Sequence, residues 1–223
     1  MVKSLLTNIG LYEAEINNAI MKKYIFKPET RHELKSAVSL WCIDRKQALI
    51  KYGHIGTWYT SLITDMSYVF EGKKNFNDDI SLWDVSNVIN MNNMFDGCHN
   101  LNKPLNYWNI SNVTSTYEMF RCCFNFDQDL NYWDVSKLVN TESMFYRCRS
   151  FSHTLFKWRL SSAKYVSHMF CGCYKFRRLS THMRAWRLKP EHKSHIFQWC
   201  DMDETKFSDT MYLRNMYSIE MKK

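Results

Sequence analysis

The chain has 223 residues, of which 45% are hydrophobic and 16% aromatic, while glycine and proline contribute only six and three. Collagen-like, linker-like and low-complexity classes are thereby excluded, and one domain with its own core is expected. Thirty Lys and Arg against 22 Asp and Glu give a formal charge of +8. So few glycines leave little material for phosphate-cradling loops. No apolar stretch approaches the ~18 residues of a membrane span, and the opening MVKSLLTNIGLYEAEINN lacks an apolar signal core before a cleavage site. These features imply a cytoplasmic chain with neither signal peptide nor transmembrane segment, whose eight cysteines meet a reducing compartment.

In chain order, residues 1–27 read as an extension. Thr30 and Glu33 in TRHE then form a capping-box pattern before LKSAVSLW, and Leu34, Ala37, Val38 and Trp41 fall on one helical face. Gly53 supplies a stop signal. Residues 30–52 are therefore expected to form an N-terminal cap helix, within a first region spanning 1–57.

From residue 58 the chain repeats every 25 residues. Trp58, Trp83, Trp108, Trp133 and Trp158 share that step, as do Phe70, Phe95, Phe120, Phe145 and Phe170. Ser61, Ser86, Ser111, Ser136 and Ser161 form a third column. Cys98, Cys123, Cys148 and Cys173 form a fourth, with Lys73 in the first place. Five units thus cover residues 58–182. In LNYWNISNVTSTYEMFRCC, Leu105, Trp108 and Ile110 reproduce the L-x-x-L-x-L spacing of a leucine-rich-repeat strand. Ser111 sits where a helix N-cap belongs, and Val113, Phe120 and Cys123 continue at helical spacing, as do Val88, Met91, Phe95 and Cys98 one unit earlier. The expected fold is therefore an α/β leucine-rich-repeat-like solenoid of five strand–helix units, stacked because no unit can bury its apolar face alone. The Trp, Phe and Cys columns are expected to be ladders within its core.

After the fifth unit the period falters, since Trp186 lies 28 residues beyond Trp158. Residues 183–223 are expected to form an irregular C-terminal cap. The charge is concentrated here: residues 157–223 hold 14 Lys and Arg against 6 Asp and Glu, and residues 1–156 hold 16 against 16. Lys175, Arg177, Arg178, Arg184, Arg187, Lys189 and Lys193 are candidates for contact with a polyanion or an acidic partner, or else a solvated end.

A second candidate surface follows from strand alternation. If Trp points inward, its neighbours point out, namely Leu82 and Asp84, Tyr107 and Asn109, Tyr132 and Asp134, Lys157 and Arg159. Tyrosines beside acidic and amide groups suit protein recognition, although Asp84, Asn109 and Asp134 could instead serve local turns.

Chemical motifs are weak by comparison. A straight ladder of cysteines cannot surround a point as tetrahedral zinc ligands must, and His192, His195 and Cys200 supply three ligands at most. No Walker loop, G-x-S-x-G or H-E-x-x-H occurs, so neither cofactor, metal nor catalytic residue is assigned.

The stretches WDVSNVINMNNMFDGCHNLN and WDVSKLVNTESMFYRC closely resemble the BspA-like leucine-rich-repeat surface proteins, and HELKSAVSLWCIDRKQALIKYGHIGTW resembles the cap preceding such repeats. The resemblance covers about residues 30–182 and implies a non-enzymatic binding scaffold with an unknown protein partner. The missing export signal departs from surface members, and an Asn-, Lys- and Tyr-rich composition suits a protist or large DNA virus member. A structural role, as a minor virion or assembly protein anchored by the basic end, is the alternative. In the fifth unit Arg159 replaces the acidic or amide residue after Trp, so the surface changes along the stack.

Overall fold

The computed structural model describes residues 25–176, together with Trp186 and Ile196. Helix α1 spans Arg31–Ile43 and helix α2 Arg45–Tyr52, followed by a 3-10 turn at Ile55–Thr57. The Thr30 side chain accepts from the Glu33 amide while the Glu33 carboxylate accepts from the Thr30 amide, which closes the capping box. Leu34, Ala37, Val38 and Trp41 are the buried face of α1. The expected single helix is divided at Asp44, which leaves helical geometry (φ −136°, ψ 85°) and caps α2 through its carboxylate on the Gln47 amide, 3.0 Å away. Gly53, at φ 69°, ends α2 in the left-handed region.

The expected α/β strand–helix solenoid is not what the repeats form. Among the described residues there is no strand, no sheet and no α-helix beyond Tyr52. Each coil is instead a polygon of β-turns. We number the coils from their tryptophans: coil 1 is 58–82, coil 2 is 83–107, coil 3 is 108–132, coil 4 is 133–157 and coil 5 begins at 158. In coil 2 and its borders the amides of Trp83, Val88, Met94, Cys98 and Leu101 donate to the carbonyls of Ile80, Val85, Met91, Phe95 and Cys98. Every one of these turns begins and ends on a buried residue. Inward positions therefore recur three and four apart, the same spacing a helix gives, which is why the sequence pattern imitates one.

Two columns of left-handed backbone make a helix impossible there. Tyr68, Asn93, Glu118, Ser143 and His168 all lie at φ between 52° and 61°. Gly72, Gly97, Cys122, Arg147 and Gly172 form the second such column, four residues later. Across the two columns alternate amides turn toward the next coil. Met66, Tyr68, Phe70 and Gly72 donate to the carbonyls of Asn90, Asn92, Met94 and Asp96 at 2.7–3.0 Å. The same four bonds recur from coil 2 to coil 3, where Met91, Asn93, Phe95 and Gly97 donate to Ser115, Tyr117, Met119 and Arg121. Isolated parallel bridges link Asp65, Asn90, Ser115, Asn140 and Tyr165.

Side chains complete the register. Phe70, Phe95, Phe120, Phe145 and Phe170 stack at centroid separations of 5.1–5.6 Å. Indole Nε1 of Trp83, Trp108, Trp133 and Trp158 donates to the carbonyls of Ile55, Ile80, Leu105 and Leu130, each 28 residues earlier. The thiols of Cys98, Cys123, Cys148 and Cys173 donate to the carbonyls of Phe70, Phe95, Phe120 and Phe145. These tryptophans and cysteines, with Trp58, are buried. Each polar atom thus enters the core with a carbonyl partner, which removes its desolvation penalty.

The helices close the first end of this core. Trp41 and Phe26 meet Trp58 edge-on, and Trp41 Nε1 and Arg45 both donate to the Asp78 carboxylate. Arg31 and Lys35 pair with Asp65 and Glu71 of coil 1 at 3.6 and 3.7 Å. At the other end Trp186 stacks on Phe170 (5.7 Å), its Nε1 donates to Leu155, and Ile196 accepts from the Phe170 amide. Trp186 therefore repeats the tryptophan role beyond the fifth unit, three residues late.

Candidate functional site

The turn Ile80–Trp83 places Trp83 inside and leaves its neighbours on the outer surface, and each following coil does the same. Leu82 is 84% exposed, Tyr107 83% and Tyr132 71%, while the tryptophans beside them are at most 3% exposed. Lys157, Asp84, Asn109, Asp134 and Arg159 are also exposed. All eight residues singled out from alternation are therefore exposed, in two columns that keep the 25-residue period, although no strand carries them.

The two columns differ in their bonds. Asp84, Asn109 and Asp134 each turn Oδ1 back to the amide two residues on, Ser86, Ser111 and Ser136, at 3.0–3.2 Å. These are Asx turns. The serine is consequently the recipient of a cap rather than the N-cap the sequence suggested. Hydrogen bonds from Ser136 hold the Asp134 carboxyl below its ordinary range. In coil 5 Arg159 occupies the same column and donates Nη1 to the carbonyls of Phe156 and Trp158. In the outer column Lys157 places Nζ 3.9 Å from the centroid of the Tyr132 ring. Leu82 and Tyr107 project into solvent.

A further column escaped sequence reasoning because it keeps the period and not the residue class. Lys74, His99, Phe124 and Arg149 are 25 residues apart. The His99 ring stacks on Phe124 at 4.4 Å, and the Arg149 guanidinium lies 4.7 Å from the same ring. Partial burial, with Lys74 and Arg149 nearby, lowers the His99 pKa against the opposing pull of Asp96. Beside it, Arg121 bridges Asp96 at 3.0 Å and approaches Glu118, which also accepts from Asn93. Burial raises the Asp96 pKa, and the Arg121 charge only partly offsets it.

Of the basic candidates, Lys175 is exposed. Arg177, Arg178, Arg184, Arg187, Lys189 and Lys193 lie outside the described residues, as do His192, His195 and Cys200. Among the described residues no group of three or more His, Cys, Asp or Glu side chains is placed to hold a metal ion. Burial raises the Cys98, Cys123 and Cys148 thiols far above their ordinary range, and Cys171 to about 12, which disfavours their thiolates. Among the described residues no helix is long and apolar enough to cross a membrane.

The model of one family, described as Mycoplasma protein of unknown function, DUF285, matches residues 43–154, 90–186 and 118–209. The three matches overlap, and together they span residues 43–209. No curated protein and no solved structure matches the chain.

Proposed function

The chain belongs to this DUF285 family of BspA-like repeats, and on that premise we propose that it is a non-enzymatic protein-recognition module whose contact surface is the face around Tyr107 and Tyr132. The observation that carries the reading is the exposure of Leu82, Tyr107 and Tyr132 on a backbone locked from coil to coil. Large side chains held on a rigid frame lose little conformational freedom on binding, so their contact area converts into affinity efficiently. The buried, carbonyl-bonded cysteines and the missing nucleophile, base and metal motifs argue against a catalytic role. The test is affinity capture with the parent and with Tyr107→Ala/Tyr132→Ala. A partner retained by the parent is lost from the variant at unchanged melting temperature; equal retention by both removes this face from recognition.

A second reading, an assembly or virion component of a protist or large DNA virus, draws on the charge distribution. Residues 157–223 hold the whole +8 excess, which suits a polyanionic anchor. Binding to single-stranded nucleic acid that falls steeply with salt, and is lost when Arg177, Arg178, Arg184 and Arg187 are changed to Glu, supports the anchor. Binding unchanged by the reversal removes it.

A further inference from the structure

We propose that the partner fitted to this face is a second copy of the chain, docked with its coils running in the opposite direction. The inference rests on the recognition reading above and adds the identity of the occupant. Its basis is the order of charges along the two exposed columns. Flanking the tryptophans that open coils 2 to 5, the inner column reads Asp84, Asn109, Asp134, Arg159, and the outer column, the last residue of each preceding coil, reads Leu82, Tyr107, Tyr132, Lys157. The face is therefore anionic at its start and cationic at its end.

A twofold axis lying in the interface, along the chain direction and midway between coils 3 and 4, sets coil 2 of one copy on coil 5 of the other, and coil 3 on coil 4. Column then meets like column in reverse order. Asp84 faces Arg159 twice by symmetry, and Asn109 faces Asp134. Tyr107 faces Tyr132, while Leu82 faces Lys157, whose aliphatic stem covers it. Each apolar or charged group meets a partner it can use. The alternative parallel pairing, about an axis along the stack, exchanges the columns and sets Arg159 of each copy on Lys157 of the other, cation on cation, while Asp84 meets only Leu82. The regular coil spacing, 5.1–5.6 Å along the phenylalanine stack, keeps the reversed columns in step across all four coils. Arg159 commits only Nη1 to its local carbonyls, so its remaining donors are free to meet the carboxylate.

The experiment is sedimentation equilibrium of the full chain over a concentration series at low and moderate salt. The expected mass is that of two chains, with dissociation favoured by salt. Asp84→Arg or Arg159→Asp alone weakens the dimer by at least about tenfold, because each removes two symmetric pairs. The double exchange Asp84→Arg/Arg159→Asp restores it to within about threefold, which a merely structural role would not do. Asp84 also holds a turn, so Leu82 provides an independent test free of folding effects. Leu82→Glu, opposite Lys157, tightens association, and Leu82→Lys loosens it. A monomer at all concentrations, equal behaviour of the two Leu82 variants, or no recovery in the double exchange overturns the dimer. If the chain is monomeric yet a captured protein is still lost on Tyr107→Ala/Tyr132→Ala, the dimer fails while the recognition face stands.

Discussion

Tyr107 and Trp108 are adjacent aromatic residues, the last of coil 2 and the first of coil 3, with opposite fates. Trp108 is 3% exposed and bonded to the Ile80 carbonyl, whereas Tyr107 is 83% exposed. From Trp83 to Trp158 the buried column is tryptophan throughout, whereas the exposed column one residue earlier runs Leu, Tyr, Tyr, Lys. The comparison teaches that identity is held where a side chain must stack on its equivalent above and below, and is released where it faces outward. Aromatic content by itself therefore marks neither core nor site. Position relative to the turn does.

Three substitutions probe that contrast. Trp108→Ala removes a buried ring from the middle of the stack and should destabilise the fold by about 3–5 kcal/mol in denaturant unfolding. A variant that unfolds with the parent would mean the column is not weight-bearing. Cys122→Gly addresses the boundary between inside and outside, since Cys122 sits half-buried at φ 57° in a column otherwise rich in glycine. Relieving the left-handed strain, less the added flexibility of glycine, should raise stability by about 0.5–1 kcal/mol. A loss of stability would show that the Cys122 side chain matters more than its backbone. Tyr107→Ala should change stability by less than about 0.5 kcal/mol. A larger loss would place Tyr107 in the fold rather than on a surface kept for a partner.

The 25-residue period and the capping box at Thr30 and Glu33 were legible because each rests on a fixed residue type at fixed spacing. The path of the chain within a coil was not. Turns closing from residue i to i+3 place buried groups at the same intervals as a helix, so Val88, Met91, Phe95 and Cys98 could not distinguish the two. The left-handed column at Tyr68, Asn93, Glu118, Ser143 and His168 has no common residue type, since backbone hydrogen bonds between coils impose it. The second column did leave a trace in Gly72, Gly97 and Gly172, three of the six glycines. The sixth tryptophan of the column also left a trace, because Trp158-Arg-Leu and Trp186-Arg-Leu repeat with three residues added. The outer face was legible for a different reason: a turn with Trp inside turns its neighbours out, as a strand would.

The indoles, thiols and backbone amides of each coil reach the coil beside it by fixed sequence offsets, 28 residues for the tryptophans and cysteines and 24 for the amides of Met66 to Gly72. Insertions and deletions are thereby quantised. Removing or duplicating a whole period moves every column by one step and leaves each donor facing an equivalent acceptor. A change of one or two residues inside a coil shifts indole, thiol and amide registers together and strands all three kinds of donor at once. Length in this molecule can change without that loss only by adding or subtracting a whole coil; the Trp186 indole, which reaches its Leu155 acceptor across 31 residues, is the exception.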